Sequence, residues 1–102
     1  MREDELRPTA GARFLLERVA DSGDRATYRA VIFTPDAEFS ATAELREDGT
    51  FDVPSTGAPE ELQEALAMQV RLLARGATKR HEDGLPAWPA RVLRWRGPGR
   101  GA

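Results

Sequence analysis

The sequence predicts an α+β fold: an antiparallel meander sheet with one long helix packed on one face. Three observations lead there. Residues 59–75, PEELQEALAMQVRLLAR, repeat apolar side chains three and four positions apart. Residues 12–53 hold four runs rich in strand-forming side chains, separated by turn-forming clusters. A further run, RVLRWR at 91–96, follows the helix.

The helix is the clearest element. Leu62, Ala65, Leu66, Val70 and Leu73 fall on one face of a 3.6-residue period. Pro59 suits a first turn, where its missing N–H would be unpaired anyway. Glu60, Glu61 and Glu64 lie at the positive end of the helix dipole, and Arg71 and Arg75 at the negative end. Past Arg75, Gly76 either ends the helix or loosens it. The reading favoured here continues the helix to about residue 82, with Pro86 as the stop beyond it.

The strands follow from pattern and punctuation. Phe14, Leu15, Leu16 and Val19 mark the first, although the alternation is blurred and leaves the face of Leu15 open. Asp21-Ser22-Gly23-Asp24 is a turn cluster. The second run, Arg25 to Thr34, is apolar on both alternating sets, which suits a central strand. Ala37 to Arg46 has the cleanest period of two, with Phe39, Ala41, Ala43 and Leu45 on one side. Asp48-Gly49 is a hairpin signal, and Phe51 and Val53 form a short fourth strand stopped by Pro54. Residues 91–96 read as a fifth strand, with a short helix opened by Pro89 as the alternative. Three consecutive hairpins and a helical return without crossed connections give the strand order 4-3-2-1-5. The helix stripe would pack on Phe39, Ala41, Ala43 and Leu45, where the alanines allow close approach.

A chain of 102 residues is one domain by size, read here as a flexible N-terminus at 1–10, a domain at 11–96 and a disordered tail at 97–102. It has no cysteine, which excludes disulfides and thiolate chemistry and fits a reducing cytoplasm. The acidic start MREDELRP is no signal peptide, and no apolar run is long enough to span a bilayer. The expectation is a soluble cytoplasmic protein that does not engage a membrane. Arginine supplies all the basic residues except Lys79, and asparagine is absent. That bias points to a GC-rich, bacterial coding sequence and discounts arginine as a nucleic-acid signal. Charge is divided along the chain: residues 1–67 carry a net of −8 and residues 68–102 a net of +6.

No constellation for catalysis stands out. His81 is the sole histidine and lies beside Glu82 and Asp83. Adjacent residues on a helix do not face one another, so a base with an orienting acid is not formed. Ser22, Ser40 and Ser55 lie outside any nucleophile elbow, and no phosphate-binding glycine loop is present. The sequence therefore predicts a non-enzymatic interaction or regulatory module, without cofactor or metal, that binds protein or a second copy of itself.

Two surfaces are candidates for binding. The second strand is apolar on both sides, with Val31 and Phe33 on one and Tyr28 and Ile32 on the other, and one helix covers only one face of a sheet. The face left open is a candidate partner or dimer surface, drawn from Tyr28, Val31 and Phe33. The alternative is nucleic acid, bound by Trp88, Arg91, Arg94, Arg96 and Arg100: arginine grips phosphate and tryptophan stacks on bases. On this reading Trp88, in a proline-bounded loop, is the exposed stacking residue. Trp95, alternating with Leu93, faces the sheet core.

Overall fold

The computed structural model describes Pro8 and residues 10–97. Most of the expected flexible N-terminus and of the 97–102 tail, Arg100 included, lies outside the described residues. The elements are β1 (Ala12–Asp21), β2 (Arg25–Phe33), β3 (Glu38–Arg46), β4 (Phe51–Asp52), α1 (Glu60–Arg75), α2 (Ala77–Glu82) and β5 (Arg91–Arg96). The sheet is antiparallel throughout and ordered β4-β3-β2-β1-β5, as the meander and the helical return predict.

Two of the three hairpins turn at a glycine. Gly23 and Gly49 sit at φ +93°, a backbone region that side chains with a Cβ disfavour. At the second of these turns the Asp48 carboxylate accepts the backbone N–H of Thr50 at 2.9 Å and its hydroxyl at 2.6 Å. These hydrogen bonds hold the Asp48 carboxyl below its usual pKa. Between Arg18 and Ala20 the β1–β2 register shifts, and Val19 is 65% exposed there. The bulge takes Val19 out of the alternation, while Phe14, Leu15 and Leu16 blur it because both faces of β1 are buried there.

The helix runs from Glu60 to Glu82 as two segments joined at Gly76, which keeps a right-handed helical backbone (φ −86°, ψ −5°). It therefore bends at Gly76 and continues to 82. Leu66, Val70, Leu73 and Ala74 are buried from its inner face. They join one core with Phe14, Leu16, Tyr28, Ile32, Ala43 and Leu45, and Phe39 packs against it. Fully burying a leucine such as Leu66 stabilises by about 2 kcal/mol. Ala26, Ala30 and Ala43 are buried beneath the helix, where larger side chains would hold it away.

The pairing settles Leu15. It stands opposite Val31 in β2 and Leu93 in β5, on the face away from the helix. Leu15, Val31 and Phe33 form a second, smaller cluster there, with Leu93 packed against it.

Candidate functional site

The site is the outer strand β5, and it begins with the loop that places it. Residues 85–90, LPAWPA, contain two prolines, so the segment lacks two N–H donors while keeping every carbonyl. Four consecutive carbonyls in it accept hydrogen bonds from three different elements. Ala87 accepts from Arg80 Nε of α2 at 2.8 Å, and Trp88 from Arg18 Nη1 of β1 at 2.7 Å. Pro89 accepts from the Tyr28 hydroxyl of β2 at 2.6 Å, and Ala90 from the backbone N–H of Arg18 at 2.9 Å. In return, the Trp88 indole N–H donates to the Gly23 carbonyl at 2.9 Å.

Arg80 also donates to the Leu73 carbonyl at 2.6 Å, tying the end of α1 to the loop. Burial pushes its guanidinium below the usual pKa. Burial likewise pushes the Tyr28 phenol up to about 12, against the opposing pull of the nearby Arg18 and Arg80 charges.

The latch sets the parity of β5. The bond from Arg18 N–H to Ala90 makes these two a hydrogen-bonded pair, and alternate residues along an antiparallel ladder then bond in the same direction. Val92, Arg94 and Arg96 therefore bond inward to β1, while the backbones of Arg91, Leu93 and Trp95 face outward. Among the described residues no strand lies beyond β5. Arg94 Nη1 donates to the outward Leu93 carbonyl at 3.0 Å. Arg96 stands 3.8 Å from Glu61, at the start of α1. Trp95 is 58% exposed, and its indole donates to the Ala10 carbonyl at 3.3 Å.

The residues singled out from sequence divide differently from expectation. Tyr28, Val31 and Phe33 do not form one surface. Alternation turns Tyr28 toward the helix, where it is fully buried, and Val31 and Phe33 are fully buried on the opposite face. The two tryptophans exchange roles. Trp88 is 3% exposed, because the loop that carries it is pinned against the sheet, and it cannot stack on a base. Trp95 lies near the end of an edge strand on the sheet face away from the helix and is the exposed one. Arg91, Arg94 and Arg96 lie together on β5. Arg18 and Arg80, which build the latch, carry no sequence motif. The signal that could have found them is the proline pair, whose neighbouring carbonyls need donors from elsewhere.

A cavity of about 380 Å³ beside the latch is lined in part by Arg18, Asp21, Glu47, His81 and Trp88. Its Asp21 carboxylate is 3.6 Å from Arg18 Nε. Among the described residues there is no group of three or more histidines and carboxylates that could hold a metal ion. No described helix is long and apolar enough to cross a membrane. In comparisons with family models, curated proteins and solved structures, nothing matches this chain.

Proposed function

We propose that this chain is a non-enzymatic interaction module that binds a protein partner by taking an extended segment of it as an added strand along β5. The observation that carries this reading is the outward backbone of Leu93 and Trp95 on a six-residue edge strand. An edge of that length offers a template of main-chain donors and acceptors, and its side chains select what binds. The opposite edge strand, β4, has only two residues. Trp95 supplies an exposed anchor of the kind enriched at interfaces. The composition, arginine-rich and free of cysteine, supports a place in a bacterial cytoplasm.

The test is nuclear magnetic resonance of the full chain with strand-forming valine–threonine peptides. Binding should shift and protect the amides of Leu93 and Trp95. Leu93→Pro removes one outward N–H at a position where an edge strand tolerates proline, and should weaken binding, with circular dichroism checking that the sheet survives the lost packing on Leu15, Val31 and Phe33. Peptide binding that leaves both amides unmoved would refute the reading.

Nucleic acid is the second reading. It rests on Trp95, exposed beside Arg94 and Arg96, in place of Trp88. Its mark would be a Trp95 fluorescence change with single-stranded DNA or RNA that falls steeply with salt.

A further inference from the structure

We infer that the strand β5 accepts is acidic, alternating carboxylates with apolar side chains, and that Arg94 selects it. This rests on the added-strand reading above. β5 carries Arg91, Arg94 and Arg96 and no carboxylate within its six residues. It belongs to residues 68–102, whose net charge is +6. Arg94 is exposed, and among the described residues its guanidinium meets no carboxylate; its contact is the Leu93 carbonyl.

That contact bears directly on docking. The Leu93 carbonyl is one of the outward acceptors an arriving strand would use. An arriving strand's N–H competes with the Arg94 guanidinium for that acceptor, and the guanidinium is left free to turn to another partner. The nearest new partner is then a side chain of the added strand on the same face as Arg94. A carboxylate there replaces the lost bond with a charge-assisted one.

The two faces dictate the alternation. Arg94 and Arg96 project to the helix side of the sheet, so carboxylates belong opposite them. Leu93 and Trp95 project to the other side, where Leu93 packs on Leu15, Val31 and Phe33; apolar side chains belong there. A second copy of β5 is a poor occupant, because it brings three arginines against three more. A nucleic-acid backbone lacks the alternating donors and acceptors that would complete the edge ladder.

The experiment titrates the isotopically labelled full chain with three short peptides in which valine alternates with glutamate, threonine or lysine, and with oligothymidylate. Amide shifts at Leu93 and Trp95 report docking, and tryptophan fluorescence gives affinity. At low salt the glutamate peptide should bind about fivefold more tightly than the threonine peptide, from the opposite-charge pair at Arg94. The lysine peptide should bind weakest. Arg94→Glu lies on an exposed position and should leave the circular dichroism spectrum unchanged. It should remove the preference for glutamate and improve lysine-peptide binding. Equal affinities for the glutamate and threonine peptides, with Leu93 and Trp95 both shifting, would overturn the acidic preference and leave strand addition standing. No shift at either amide with any peptide would overturn both. A steeply salt-dependent response to oligothymidylate, with no peptide response, would replace both with the nucleic-acid reading.

Discussion

Replacing Tyr28 by phenylalanine isolates one bond of the latch. The ring is fully buried, and phenylalanine keeps it. What is lost is the hydroxyl, which donates to the Pro89 carbonyl at 2.6 Å. A hydrogen bond of this kind contributes about 0.5–1.5 kcal/mol net, and stranding a buried acceptor adds more. Pro89 is only half-buried, so water can partly replace the hydroxyl. The expected cost is therefore about 1–2 kcal/mol, or a midpoint lowered by roughly 5–15 °C for a domain of this size. Urea denaturation followed by tryptophan fluorescence measures it, with an unchanged slope as the sign that only stability has moved. A loss below about 0.5 kcal/mol would refute the claim that this bond holds the loop. The same residue gives a pH signature. In the unfolded chain the phenol ionises near pH 10, at about its ordinary value. In the folded chain burial raises that to about 12. Between the two, the unfolded state has released a proton that the folded state keeps. The contribution of Tyr28 is thus fully present below about pH 10 and is lost as pH rises toward about 12. Tyr28 is the sole tyrosine, so phenolate absorbance reports on it alone. Phenolate appearing near its ordinary pH in folded protein would contradict the burial, and Tyr28→Phe should flatten this part of the alkaline stability curve.

The remaining predictions concern packing. Leu66→Ala should cost about 2–5 kcal/mol in a denaturation series, as a large-to-small change at a fully buried position; a loss near zero would place this helix face in solvent. Gly11 sits at φ +72°, and a side chain there would run into the Arg96 carbonyl and the Gly97 backbone. Gly11→Ala should cost about 2–4 kcal/mol by thermal denaturation. A cost under about 1 kcal/mol would show that the start of β1 and the end of β5 are not in close contact.

Much of the fold was legible because its signals are local. The helix stripe at Leu62, Leu66, Val70 and Leu73, the alternation through Phe39 and Leu45, and the turn residues Gly23 and Gly49 each act within a few positions. The strand order followed from their sequence along the chain. The tryptophans were misread for the opposite reason. The indole partner of Trp88 lies 65 residues away, at Gly23, and nothing near residue 88 announces it. Leu15 likewise takes its face from cross-strand neighbours, Val31 and Leu93, which lie far from it along the chain. Alternation already separates Tyr28 from Val31 and Phe33, but that all three are fully buried follows only from the packing on the two faces. The arginines of β5 were visible as a group, but that they stand on an outer edge follows only from the pairing.

The four bonded carbonyls of the LPAWPA loop bear on how costly it is to use that edge. An ordinary outer strand frays, and a partner that docks on a fraying strand must order it as well as itself. Here residues 87–90 are fixed by donors from β1, β2 and α2, none of which can move without disturbing the core. β5 thus leaves its anchor as a rigid ledge, already extended and already in register. A segment settling on it would bear only its own ordering cost. Preorganisation of this kind lets a short interface reach useful affinity without a large contact area.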